Sequence, residues 1–182
     1  MTLAVDIGLV GGISDGTNHY AMPVISVETK PAVLVLAKVN GKTQYYKTGD
    51  LAGKPKHKIK TPAKYQTELA LFTIYNLFKT ADTVVFESPG TSIGNAANST
   101  ASTNRNFGKL LACAELAGCT IITVPPQKWK KDLSLTKDKQ DSINLAHSLT
   151  GQSFVTPRGR LEDGKAEAFL IWHWYTTTQL KP

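Results

Sequence analysis

Strand-length apolar runs separated by helical stretches constrain this chain most. Residues 83–87, TVVFE, and 119–124, CTIITV, are too short for helices and too apolar for surface loops. A helical stretch at about 105–117 lies between them, with Phe107, Leu110, Leu111, Ala114 and Leu116 as its buried side. Strand, helix, strand in that order is the pattern of a parallel sheet with helical crossovers. Three further runs, 2–7, 22–29 and 32–39, are strand-like and raise the candidates to five. Asn40-Gly41 marks a tight hairpin turn after 32–39, because both central residues of a type I′ turn need positive φ. Thr61-Pro62 reads as a helix start, with the helix continuing to about Phe78. Helices are also expected near 127–132, 137–149 and 163–178, and loops at 49–60, 88–104 and 150–161. The order predicts an α/β fold with an antiparallel portion and a parallel portion.

A chain of 182 residues is expected to form one domain spanning 1–182. Hydrophobic content of 41% against 19% charged excludes a wholly disordered chain. Cys113 and Cys119 have no partners at zinc-ligand spacing and read as free thiols. No apolar run approaches the ~18 residues of a membrane span, and no basic-then-apolar leader opens the chain. Neither membrane insertion nor secretion is therefore expected.

The net charge of +7 points to a polyanionic partner. Lysines gather in two places. Lys54, Lys56, Lys58, Lys60 and Lys64 form one cluster, and Lys128, Lys130, Lys131, Lys137 and Lys139 the other. The first group lies in or near the 49–60 loop.

Within this basic chain, several carboxylates stand where solubility does not require them. Asp6 closes an apolar strand two residues before Gly8, and Glu87 closes another before Ser88-Pro89-Gly90. If the two strands are parallel neighbours, both acids emerge at the same edge, where open α/β sheets bind ligands. Asp163 and Glu167 are four apart and share a helix face. Like charges at that spacing repel unless a cation lies between them; acids near a helix start also answer the helix dipole. Together the three regions offer oxygen donors suited to Mg²⁺ or Mn²⁺, and a pair of such ions serves phosphodiester cleavage. The reading is a metal-dependent nuclease whose basic surroundings hold the phosphate backbone.

These residues carry a resemblance. AVDIG at 4–8, VVFESPG at 84–90, NSTASTNRNFGKLLACAELAG at 98–118, VPPQKWKKDL at 124–133 and DGKAEAFLIW at 163–172 resemble, in order, the RuvC family of Holliday-junction resolvases in the RNase H-like superfamily. Residues 40–62 do not match that pattern. The resemblance implies an RNase H-like fold, a five-stranded mixed sheet with flanking helices. It implies Asp6, Glu87, Asp163 and Glu167 as metal-binding and catalytic acids, with Glu162 the rival of Asp163, and Lys139 and Lys130 as lysines near the active site. The last acid is glutamate where the family often has aspartate, and the last two acids are four rather than three apart. DNA contacts are expected from Lys128, Lys130, Lys131, Lys54, Lys56, Lys58, Lys60, Arg105 and Asn98.

The resemblance further implies two Mg²⁺ ions per site, with Mn²⁺ as a substitute, and a homodimer acting on a four-way DNA junction. No nucleotide cofactor is expected: Asp6-x-Gly8 also opens sugar-kinase phosphate loops, but no second such loop follows. The setting would be cytoplasmic, in the host cytoplasm if the chain is encoded by a bacteriophage. An RNase H-like or flap nuclease and a non-catalytic DNA-binding module are the competing readings. The loop at 88–104 is expected to pass beside the scissile phosphate, offering Ser92, Asn95, Asn98, Ser99, Ser102 and Asn104.

Overall fold

The structure, a computed structural model, describes residues 1–61, 64–90 and 97–179, without the side chains of residues 60 and 97–99. The chain divides into two compact units, one of Met1–Val24 with Leu69–Pro182 and one of Ile25–Glu68.

The larger unit is built on a five-stranded sheet of β1 (Thr2–Asp6), β2 (Gly12–Ser14), β3 (His19–Ala21), β10 (Thr83–Glu87) and β11 (Thr120–Val124). The spatial order is β11-β10-β1-β2-β3. Strands β1, β10 and β11 run parallel, and β2 is antiparallel to both of its neighbours. Helices α1 (Leu71–Phe78) and α2 (Ala97–Leu116) cover one face. Helices α3 (Pro126–Asp132), α4 (Lys139–Thr150) and α5 (Asp163–Trp174) cover the other. This is the expected five-stranded mixed sheet with flanking helices.

Alternation along the strands divides the core. Leu3, Val5, Val84 and Phe86 pack under α1 and α2 with Ile74, Phe78 and Leu110. Ala4 and Val85 face the other way, against Trp129, Ile143, Ala166 and Leu170. Asp6 and Glu87 have the same parity as Ala4 and Val85, so period two alone directs both acids toward the layer that contains α5. Asp138 caps α4 by accepting from the Gln140 N–H at 2.9 Å, and Gly151 ends it in the left-handed region at φ 71°.

Two of the five expected sheet strands were misplaced. The runs at 22–29 and 32–39 form strands, but outside the sheet, as β4 (Val24–Lys30), β5 (Val33–Leu36) and β6 (Lys38–Val39). The sheet instead takes β2 and β3, three residues each and too short to show an alternating pattern. The helix expected from Thr61 begins only at Leu71. Residues 64–69 form β9 (Lys64–Leu69), which pairs with β4, so strand pairing overrides the local cap signal. Residues 57–61, expected mostly as loop, form β8 (His57–Thr61). The expected loop at 88–104 is cut short because α2 starts at Ala97; Ser92 and Asn95 lie outside the described residues.

In the smaller unit the strand pairs are nested in sequence. β4 with β9 encloses β5 with β8, which encloses β6 with β7 (Lys42–Thr43). Asn40 and Gly41 have φ of 48° and 76°, as the type I′ reading requires.

Candidate metal centre

Carboxylate oxygens of Asp6, Glu87 and Glu167 lie within 4.8 Å of one another. Asp6 and Glu87 end adjacent parallel strands, while Glu167 enters from the second turn of α5. The close approach of α5 depends on glycine. Gly11 bridges Gly164 in parallel fashion, and a Cβ on Gly12 would sit 2.5 Å from the Gly164 carbonyl oxygen. Backbone therefore packs on backbone where β2 meets the start of α5, which brings the helix close enough for Glu167 to reach Asp6.

Neighbouring side chains hold the acids. Trp129 is buried, and its indole N–H donates to Glu87 Oε2 at 3.1 Å. The next residue, Lys130, donates its ammonium to Glu167 Oε1 at 2.7 Å. The buried Ser142 hydroxyl donates to the same oxygen at 3.2 Å. One short helix, α3, thus supplies a neutral donor to one acid and a cation to another.

The electrostatics are unfavourable for charge. Burial, then the Glu167 carboxylate, pushes Glu87 up to about 7, against the pull of Lys130 and the Trp129 donor. Burial holds Asp6 well above the usual carboxylate range, with Glu87, Glu167 and Asp163 adding repulsion. Lys130 is the cation that opposes the upward shift of both acids. The donor set is all oxygen, hard and crowded with negative charge, which fits Mg²⁺ or Mn²⁺.

Asp163 stands outside the three-acid group but close enough to raise Asp6. It accepts from Lys139, whose own pKa this hydrogen bond raises. Its rival Glu162 pairs with Lys165 at 2.7 Å and does not contribute to the Asp6 shift. Of the expected DNA contacts, Lys131 and Arg105 are exposed, and Lys128 is exposed with its ammonium 5.4 Å from the centre of the Trp174 ring. Lys130 is engaged with Glu167 rather than open to solvent. Lys54, Lys56 and Lys58 belong to the smaller unit, with Lys60 in the backbone of β8; the side chains of Lys60 and Asn98 lie outside the described residues. A cleft beside Glu87 is lined by Pro89, Gly90, Thr100, Thr103, Asn104 and Pro126. Both thiols are free. No helix among the described residues is long and apolar enough to cross a membrane.

Sequence reasoning missed the roles of Trp129, Ser142 and the Gly11, Gly12 and Gly164 contact. A tryptophan directly before Lys130, in the segment leaving β11, was the available signal for the first.

No family model matches the chain, and no curated protein matches it. Among solved structures it is similar to Thermus thermophilus RuvC, with a TM-score of 0.47 and 12% identity over 98% of this chain and 96% of that one. It is also similar to T. thermophilus RuvC in complex with a Holliday junction substrate, with a TM-score of 0.48 and 11% identity over 97% and 94%.

Proposed function

We propose that this chain is a divalent-metal-dependent nuclease that cuts four-way DNA junctions. The observation that carries the reading is the meeting of Asp6, Glu87 and Glu167 oxygens within 4.8 Å at the carboxyl edge of the parallel strands. Three distant sequence regions supply them, and Lys130 and Lys139 pair with Glu167 and Asp163 beside them. A structural role gives no reason to crowd three acids where two are driven toward protonation.

Asp6, Glu87 and Glu167 would hold one Mg²⁺, and Asp163 with Asp6 a second, with Mn²⁺ able to substitute. Bound there, the ions would supply Lewis acidity toward the phosphoryl oxygens and an attacking water. The chain's own residues do the rest. Trp129 fixes the orientation of Glu87, and Lys130 and Ser142 fix Glu167. Lys139 carries positive charge beside Asp163, where a phosphate would need it. The small side chains lining the cleft beside Glu87 leave room for a sugar–phosphate backbone.

Residues 1–182 are read as one nuclease domain whose sequence is interrupted by the 25–68 unit. A homodimer would place two centres on one junction, with exposed Phe72 on α1 and Leu116 on α2, 78% and 77% accessible, as apolar surface for a two-fold contact. The reading implies a cytoplasmic enzyme, acting in the host cytoplasm if bacteriophage-encoded. A cleavage panel tests substrate class: four-way junction, fork, flap, linear duplex and RNA–DNA hybrid, each with Mg²⁺. Preferential paired nicking of the junction supports the reading. Preference for the hybrid or the flap assigns the same centre to a different nuclease, and binding without cleavage in either metal leaves a DNA-binding module.

A further inference from the structure

The charge of this chain is concentrated in one place. Between Ile25 and Glu68 stand nine lysines, no arginine and three acids, a net +6 of the whole chain's +7. Among its described residues the same unit has no core. None of its described side chains is buried, and Leu34, Ile59 and Tyr65 are 57%, 63% and 62% accessible. Nested two-stranded pairs without a buried face are marginal in water, so their order calls for a partner.

The β5–β8 register shows what the surface offers. Leu34 pairs with Ile59 and Leu36 with His57, so those four share one face. Val35 pairs with Lys58 on the other face. Lys56 has the same parity as Lys58, and its ammonium lies 5.4 Å from the centre of the Tyr46 ring. Lysines alternating along a strand fall roughly 6.7 Å apart, a spacing at which successive ammonium groups can follow a sugar–phosphate backbone.

We infer that the 25–68 unit is a separate, sequence-independent binding element for duplex nucleic acid. Charge complementarity selects a polyanion. The two-stranded ribbon, of a size that duplex grooves admit, favours duplex nucleic acid over an acidic protein. The lack of arginine, the residue that most often reads guanine, points to phosphate contacts rather than base readout. This inference concerns binding alone and does not depend on the acid cluster having any activity.

The fold permits a direct test. The Ala70 N–H donates to the Pro23 carbonyl at 2.9 Å, so the two ends of the excursion meet within the larger unit. Residues 26–67 can therefore be replaced by a short glycine-serine linker. A second variant, Lys54→Gln, Lys56→Gln, Lys58→Gln and Lys60→Gln together, keeps the unit and removes charge. Binding of a labelled 25-base-pair duplex is measured by anisotropy in EDTA, across a KCl series, on two unrelated sequences. Thermal melting confirms that each variant folds. If four phosphate contacts are lost, the slope of log affinity against log salt should flatten by about 3 to 4, and affinity at moderate salt should fall at least about tenfold, equally for both sequences. Unchanged affinity and slope in the folded charge variant would overturn the inference. So would competition by polyglutamate as effective as that by unlabelled duplex, or discrimination between the two sequences that the variants abolish. Failure of the parent chain to cleave DNA would count against the nuclease reading and leave this one standing.

Discussion

Glu87 is where the electrostatics of the centre can be read. Its pKa of about 7 lies above the ordinary value of 4.5, so the unfolded chain ionises first as pH rises. The folded state therefore binds more protons between those values, and metal-free stability falls as pH rises through that window. The loss is on the order of 3 kcal/mol for this group, at 1.36 kcal/mol per unit, and Asp6 adds in the same direction. On the proposed reading Mg²⁺ would bind the ionised acids, so its stabilising effect should be larger at pH 8 than at pH 5.5. Thermal melts in EDTA and in Mg²⁺ at the two pH values check both halves. A pH-independent response to Mg²⁺ would remove these acids from the metal site. Trp129→Phe keeps most of the ring volume but deletes the donor to Glu87. Its expected effect is a severalfold rise in the Mg²⁺ concentration for half-maximal stabilisation, with DNA affinity in EDTA unchanged. Isothermal titration and anisotropy measure the two.

At the scale of elements, the decisive contact is α5 on β2. A methyl group on Gly164 would lie 2.7 Å from the Gly11 Cα, backbone that cannot yield without moving the helix. Gly164→Ala should therefore cost about 1–3 kcal/mol by overpacking. It should also weaken Mg²⁺ binding, because Glu167 rides on the displaced helix. Denaturant unfolding and titration calorimetry report these losses, and a stable variant with full metal affinity would show that the helix position is not set here. This contact also marks the limit of what the sequence made legible. Asp6 and Glu87 stood out because each ends an apolar strand, and parallel neighbouring strands would bring both to one edge, as β1 and β10 do. The α4 helix was expected near 137–149, and the structure shows what bounds it, the Asp138 cap and Gly151. Glu167 was placed beside Asp6 by resemblance, because only tertiary packing on glycine backbone brings it there. Strands β2 and β3 escaped notice because three-residue strands carry no period. The helix expected over 61–70 failed because Thr61-Pro62 is a cap signal of about 1 kcal/mol, whereas pairing with β4 is a tertiary choice.

At the scale of the molecule, the charge is divided as the chain is. The acids of the centre lie in the larger unit, and nearly all of the net positive charge lies in the smaller one. Catalysis and non-specific affinity should then be separable by mutation. A two-fold assembly is the remaining expectation for the whole chain. Light scattering at micromolar concentration should give twice the mass of one chain, and Phe72→Glu with Leu116→Glu should reduce it to the monomer. A monomer in the parent, with and without DNA, would leave paired cutting without a structural basis.

On the proposed reading Asp6, Glu87 and Glu167 form a hydrolytic metal centre rather than a buried structural cluster. The most direct measurement is cleavage of a labelled four-way junction in Mg²⁺ by the parent chain and by Glu87→Gln, with binding followed on the same substrate. The glutamine is nearly isosteric and can still accept from Trp129, while it removes the charge a cation needs. A metal centre there requires paired cleavage by the parent, none detectable by Glu87→Gln, and binding by both within a fewfold. Cleavage by Glu87→Gln at the parent's rate would contradict it.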